Sequence, residues 1–278
     1  MGKSREDLRL GRRRLRDGGH DALVREEPLI VEVDGEQLVT MRTPGADEAF
    51  LVGFLLAEGI VEDAQTIEAI DFRKGIPLDE PGPKPDGEGL VADRIVARLR
   101  AGVVTPRREA LCRTHEIRPS CGICGVEEHH DLLPRGQPFA PRTPVIATTT
   151  LRQLMREFEG QQSLFRATGG SHAAAIASVT GQLLGFGEDV GRHNAVDKAI
   201  GDAVRSGHDV AGSVGLLSGR AGYELIAKLL RVGCPIIVAI SAASALSFDL
   251  CREAGATLIG FARDGSWKVY WDEERIDP

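Results

Sequence analysis

Four residues with metal-binding or nucleophilic side chains fall within the short, glycine-containing stretch CRTHEIRPSCGICG. They are Cys112, His115, Cys121 and Cys124. Thiolates and imidazoles are ligands of structural zinc, so one hypothesis is a zinc staple, although the two pairs lie close together for a folded zinc module. A second is a dithiol–disulfide switch, which normally sits where a strand opens a helix rather than in a glycine-rich loop. A third is a sulfur relay, in which an exposed thiolate takes up sulfane sulfur and hands it on. The residues alone favour zinc and sulfur transfer equally, with redox third.

A second polar group is the stretch ATGGSH, in which two glycines precede Ser171 and His172. Gly169 and Gly170 permit a ligand to approach the backbone closely, and the two polar side chains can hydrogen-bond it. A tight turn that enters a strand, with a buried histidine, explains the same pattern. This stretch is therefore a weak indication of a site when taken alone.

A third group is the stretch GEDVGRHNAVDKAIG, where charged residues lead directly into a predicted helix. Arg192, His193 and Asn194 place three directional side chains in one turn, beside backbone amides that favour anions. The pattern indicates a site for a polar or phosphorylated ligand. For Asp197 and Lys198 we expect a surface ion-pair network instead.

A fourth group stands at the ends of predicted strands in the C-terminal half. Its members are Ser218, Gly219, Arg220, Ser241, Ser244 and Arg263. Open α/β sheets bind ligands outside the carboxyl ends of their strands, and small residues with arginines suit a nucleotide phosphate. The chain has neither a Walker loop nor a G-x-G-x-x-G run, which disfavours an ordinary ATPase or dehydrogenase.

The elements that would position these residues follow from hydrophobic patterning. In residues 144–278, patterns of short apolar strands alternate with patterns of amphipathic helices, which predicts a layered α/β domain. One of these helices follows PVIA and is expected to start at a threonine cap. Upstream, an Asp34-Gly35 turn between alternating runs predicts a hairpin, and the helix after it is expected to end near Gly59. Residues 26–143 should form a smaller α+β lobe, with a flexible loop at 75–90 and the cysteine motif on a mobile loop at 112–130. Residues 1–25 are expected to be a mobile basic arm.

Composition sets further bounds. The chain has 278 residues, is 42% hydrophobic and carries a net charge of −7, which argues against nucleic acid as the main partner. The first 25 residues contain no apolar segment typical of a secretory signal, and the longest apolar run, 234–240, is too short to span a bilayer. Five cysteines do not form a disulfide framework. We therefore expect a cytoplasmic protein with free thiols.

Taken together and in this order, the motifs resemble those of the formate dehydrogenase accessory sulfurtransferase family (FdhD). The matching stretches are EEPLIVEVDGEQLVTMRTPGADEAFLVGFLLAEGIV, SCGICG, ATGGSHAAA, EDVGRHNAVDKAIG, LSGRAGYELIAKL and EAGATLIGF. The resemblance runs from about Glu26 to about Tyr270. The stretch EDVGRHNAVDK is the most specific of them, and the ordered set is more specific still.

The resemblance implies a cytoplasmic homodimer with a cytidine-deaminase-like C-terminal domain. Cys121 would accept sulfur from a cysteine desulfurase as a persulfide, and Cys124 would assist. The sulfur would go to the molybdenum of a bis(molybdopterin guanine dinucleotide) cofactor, bound as cargo before apo formate dehydrogenase receives it. No permanent metal is expected, and the H-x-E and P-C-x-x-C motifs of zinc deaminases are absent from this sequence.

The resemblance also implies where the cofactor binds. The stretch Phe261, Ala262, Arg263, Asp264, Gly265 and Ser266 aligns with the family's cofactor-binding segment, and we expect His172, Arg192, His193, Ser218, Gly219 and Arg220 to contribute to the same site. The family commonly has glycine after the arginine, whereas this chain has Asp264. A carboxylate beside a pyrophosphate is unfavourable unless it accepts hydrogen bonds from guanine. Glu127, Glu128, His129 and His130 likewise replace small or basic residues, which would alter docking to the desulfurase.

Overall fold

The N-terminal residues form a hairpin in the structure, a computed structural model that describes residues 6–77, 91–105, 107, 111, 138–263 and 265–278. After a short helix α1 (Glu6–Arg9), strand β1 (Leu10–Arg14) pairs antiparallel with β2 (His20–Val24). The expectation that order starts only after residue 25 is therefore wrong. Gly18, with a φ of 89°, permits the turn, and β2 packs against the protein body next to Gly170.

A four-stranded sheet follows, in the order β4-β3-β6-β5. Its strands are β3 (Glu27–Val33), β4 (Glu36–Arg42), β5 (Ile67–Pro77) and β6 (Val91–Leu99). Asp34 and Gly35 make the predicted hairpin turn with φ values of 46° and 86°. Strand β5 continues through residues 75–77, so the prediction that the flexible loop begins at residue 75 is wrong. The rest of that loop and the whole cysteine stretch 112–130 lie outside the described residues.

Helix α2 (Asp47–Ala57) covers one face of this sheet. Its buried side chains pack against alternate residues of β3 and β6, as the period-2 pattern of a half-buried strand requires. The helix ends as predicted, because Gly59 takes up the left-handed conformation with a φ of 69°. A single-turn 3-10 helix (Ala64–Thr66) leads into β5.

A six-stranded mixed sheet forms the C-terminal half, in the order β13-β12-β11-β10-β8-β9. Its strands are β8 (His172–Ala177), β9 (Leu183–Asp189), β10 (Val214–Leu217), β11 (Ile236–Ala239), β12 (Thr257–Arg263) and β13 (Ser266–Trp271). Strands β10, β11 and β12 are parallel, and the remaining pairs are antiparallel. A small parallel pair, β7 (Ile146–Ala147) with β14 (Ile276–Asp277), lies apart from it.

Helices cover both faces of this sheet, which confirms a layered α/β architecture. Helix α3 (Thr148–Gln161) packs on one face and is followed by the short α4 (Ser163–Thr168). Helices α5 (Arg192–Arg205), α6 (Tyr223–Arg231) and α7 (Ala245–Glu253) pack on the other. The predicted threonine cap of α3 is wrong, since Ala147 precedes its first turn and no side chain caps it.

The two sheets are joined where α2 crosses α5. Two glycines face each other's helix backbone there: a Cβ on Gly53 would lie 1.8 Å from the carbonyl oxygen of Asp197, and one on Gly201 would lie 1.8 Å from that of Ala49. No larger residue fits at either position without separating the helices. In the described part of the chain, no helix is long and apolar enough to cross a membrane.

Candidate functional site

Most of the predicted cofactor-binding residues lie at one edge of the six-stranded sheet. The parallel strands β10, β11 and β12 end at this edge, and the antiparallel β8 begins there at His172, opposite Asp189 at the end of β9. Helix α5 therefore also starts at this edge, with Arg192. The topology of the sheet thus brings together residues almost a hundred positions apart in sequence. Of the predicted segment, Asp264 lies outside the described residues.

A cavity of about 350 Å³ opens beside the turn between β12 and β13. Four of its lining residues belong to the predicted binding segment: Ala262, Arg263, Gly265 and Ser266. The others are Arg152, Met155, Arg156 and Glu159 of α3, together with Trp267 of β13. The described part of the lining thus contains three arginines and one carboxylate, an excess of positive charge that favours an anion.

Local contacts hold the walls of this cavity in position. Arg152 donates from Nε to the carbonyl oxygen of Gly265 at 3.2 Å, and its guanidinium lies 5.0 Å from the Trp267 ring centroid. Arg263 donates from Nε to the carbonyl oxygen of Ile240 at 3.1 Å. Gly265 has a φ of 76°, which favours glycine at this turn. Two guanidinium groups are thus fixed by contacts with backbone carbonyl oxygens.

Phe261 lies beside the cavity and does not line it. Its backbone has a φ of 52°, unusual for an aromatic residue, and its amide donates to the carbonyl oxygen of Ser241 at 3.2 Å. The side chain is 49% exposed. Strained backbone of this kind clusters at ligand-binding and catalytic sites, which accords with the role predicted for Phe261.

A second group of predicted residues occupies the same edge on the side of α5 and α6. The Ser218 hydroxyl accepts a hydrogen bond from the Ala173 amide at 2.8 Å, and the Gly219 carbonyl accepts one from the Ser241 amide at 3.2 Å. Both residues therefore connect neighbouring chain segments at this edge of the sheet by hydrogen bonds. Arg192 and His193 each reach the carboxylate of Glu224. None of these residues lines the cavity, so the structure divides the predicted site into two groups.

Positive charge surrounds His172 in this second group. Partial loss of hydration lowers the pKa of His172 from its ordinary 6.5, and the nearby Arg192 and Arg220 lower it further. Asp189 acts in the opposite direction without cancelling the effect. The lowered pKa favours the neutral form of His172, which lies next to two cationic side chains that can bind an anion.

Much of the motif EDVGRHNAVDK turns out to be structural. Lys198 is buried, with Nζ 2.7 Å from the Asp189 carboxylate and donating to the Thr43 carbonyl oxygen at 2.7 Å. Asn194 donates to the Met41 carbonyl oxygen at 2.8 Å. These contacts connect the end of β4 to the start of α5, so Asn194 and Lys198 help to join the two sheets.

Asp197 is buried as well, so the expected surface network at Asp197 and Lys198 is wrong. Its carboxylate oxygens lie 2.8 and 2.9 Å from Lys228 Nζ, which also contacts Glu58 at 2.8 Å. Burial raises the pKa of Asp197 to about 6, against the attraction of Lys228. Burial alone would lower the pKa of Lys228, but the two carboxylates outweigh it and raise that pKa. Lys228 therefore stays charged.

The cysteines divide into two classes. Cys234 and Cys251 are buried, and burial raises the pKa of each thiol to about 12, so neither is a nucleophile near pH 7. Cys112, His115, Cys121 and Cys124 lie outside the described residues, and the assignments made for them stay predictions. Within the described residues, no group of three or more histidine, cysteine, aspartate or glutamate side chains is placed to hold a metal.

The contribution of α3 to the cavity was not predicted from the sequence. Arg152 and Arg156 stand four residues apart on the polar face of an amphipathic helix, where charged side chains are ordinarily no more than a solvated surface. The spacing predicts that the two share a face. Only the packing of α3 against the sheet shows that this face borders the β12–β13 turn.

Comparison with known proteins adds independent information. Residues 24–277 match the model of the FdhD/NarQ family. The sulfur carrier protein FdhD of Anaeromyxobacter dehalogenans (strain 2CP-C) is 40% identical over 274 residues, covering 94% of this chain and 91% of that protein. The sulfur carrier protein FdhD of Mycobacterium tuberculosis (strain H37Rv) is 37% identical over 267 residues, covering 92% of each.

One solved structure supports the fold. A crystal structure of a protein assigned as a formate dehydrogenase accessory protein, from Desulfotalea psychrophila, superposes with a TM-score of 0.67. It is 23% identical in sequence, and the match covers 96% of this chain and 97% of that one. At this identity the likeness concerns the fold alone.

Proposed function

This chain belongs to the FdhD/NarQ family, and we propose that it is a sulfur carrier that serves the activation of a formate dehydrogenase. The observation that carries the proposal is the match to proteins named as sulfur carriers over more than nine-tenths of the length of both chains. The residues proposed for the transfer are Cys121 and Cys124, in the stretch SCGICG.

The transfer itself needs no oxidant. The Cys121 thiolate attacks the outer sulfur of a persulfide on a cysteine desulfurase, a sulfur–sulfur bond forms on Cys121, and the donor's sulfur–sulfur bond breaks. The donor cysteine leaves as a thiolate. Release of the outer sulfur as sulfide takes two electrons, which a second thiolate would supply by attacking the inner sulfur of the Cys121 persulfide, forming a disulfide with Cys121 and expelling hydrosulfide. Cys124 is proposed to assist, either by stabilising the thiolate or by sharing the sulfur.

The proposed acceptor is the metal of a bis(molybdopterin guanine dinucleotide) cofactor, which the protein would hold as cargo and pass to the apoenzyme. The arginine-lined cavity at the predicted segment, together with the cationic group around His172, supports this proposal because the cargo carries nucleotide phosphates. We further propose that the protein is a homodimer located in the cytoplasm and that its sheet has the layering of the cytidine deaminase fold.

The test is the intact mass of the protein after incubation with a cysteine desulfurase and free cysteine. The native chain should gain one sulfur atom that a thiol reductant removes, and Cys121→Ala should gain none. Cys234→Ala is the matched control and should gain sulfur like the native chain, since that thiol is buried and protonated. A native chain that gains no sulfur and retains zinc would contradict the relay and support a zinc staple.

A further inference from the structure

The cavity beside the β12–β13 turn receives two of its three arginines from helix α3, outside the segment that the sequence identified. We propose that Arg152 and Arg156 bind the diphosphate of the nucleotide cargo, together with Arg263. This inference rests on the proposed function, since it assumes that a guanine nucleotide is part of what the protein carries.

The arrangement of the helix supports this assignment. Residues four apart on a helix are neighbours on one face, and both Arg152 and Arg156 line the cavity. Arg152 donates from Nε to the Gly265 carbonyl oxygen, and its guanidinium lies over the Trp267 ring. These two contacts hold the guanidinium in place. Its two terminal nitrogens have no hydrogen bond to any of the described residues. A planar guanidinium held in this way offers a fork that matches two phosphate oxygens.

The charge of the cavity points to the same ligand. Among the described residues, neither Arg156 nor Glu159 forms an ion pair, and Glu159 is the single carboxylate that faces the three arginines in the described part of the lining. Unpaired guanidinium groups that converge on one cavity favour a dianionic ligand over a neutral one. The volume of about 350 Å³ is within the range of small-ligand sites and suits the nucleotide end of a larger molecule.

The experiment measures the dissociation constants of GDP and GMP by calorimetry for the native chain, Arg152→Gln, Arg156→Gln and the double variant. Removing a charge-assisted phosphate contact should weaken GDP binding about tenfold for each arginine. GMP lacks the second phosphate and should lose less affinity, so the double variant should lose the native preference for GDP. Both side chains are exposed, so the variants should fold.

Arg252→Gln on α7 is the matched control. Like Arg152 it is a surface arginine over an aromatic ring, 5.7 Å from the Phe248 centroid, but it lies on the opposite face of the sheet. This variant should bind GDP like the native chain. A double variant that retains the native affinity and GDP preference would overturn the inference while leaving the proposed function intact. A native chain that binds neither nucleotide would overturn both the inference and the proposed cargo.

Discussion

The contact between α2 and α5 makes a sharp prediction for Gly53→Ala. In an exposed helix this substitution stabilises the fold by up to about 1 kcal/mol, because alanine is the better helix former. Here the new methyl group would lie 1.8 Å from the carbonyl oxygen of Asp197, whereas real contacts of this kind stay beyond 3.0 Å. The obstacle is backbone, so it can be relieved only by moving the two helices apart by at least about 1.2 Å.

Such a displacement has a predictable cost. Overpacking in a close-packed interior costs about 1–3 kcal/mol or more, and the rigid obstacle places this case at the upper end. It would also strain the buried contacts of Lys198 with Asp189 and Thr43, which join the same two parts of the chain. After subtracting the helix-propensity gain, we expect the free energy of unfolding to fall by about 2 kcal/mol or more.

The assay is urea unfolding followed by circular dichroism, with Gly160→Ala as the matched control. Gly160 is also helical, in the last turn of α3, but a Cβ there meets nothing within 4 Å. Its replacement should leave stability unchanged or raise it by up to about 1 kcal/mol. A Gly53→Ala variant as stable as the native chain would show that α2 and α5 do not pack as closely as described.

Three further predictions concern charged groups. Lys228→Met should destabilise the fold by about 3–5 kcal/mol near pH 7, because Asp197 is left as a buried, uncompensated charge. The pKa of Asp197, which burial already raises to about 6 in the native fold, rises further without the opposing attraction of Lys228. Protonation then relieves the buried charge, so urea unfolding should show a smaller loss as pH falls towards 5, and a pH-independent loss would contradict this account. In a histidine NMR titration, His172 should have its midpoint below 6.5, and Arg192→Ala should raise it; an unchanged midpoint would exclude Arg192 as a cause. Glu159→Gln should tighten GDP binding about threefold in calorimetry by removing the one carboxylate among the described residues of the cavity lining, and weaker binding would show that the carboxylate contacts the ligand.

The order of the elements could be predicted because their signals are local. The turn at Asp34-Gly35, the end of α2 near Gly59 and the alternation of apolar strands with helices each depend on neighbours in sequence. The hairpin at residues 10–24 was missed because its arginines give no apolar alternation. It is held instead by the protein body, where Arg9 reaches the distant Glu188 at 3.7 Å.

The sequence by itself determined the family, since family membership depends on residue types in a fixed order, and it supplied the thiol pair in SCGICG and the segment 261–266 as predictions. Tertiary structure alone decided which charged side chains are buried in structural contacts and which line a cavity. Asp197 and Lys198 look like any surface pair until α2, β4 and α6 are packed around them. Arg152 and Arg156 look like any solvated face until α3 lies against the β12–β13 turn. The physical reason is that burial and convergence depend on contacts between distant parts of the chain, which no local pattern encodes.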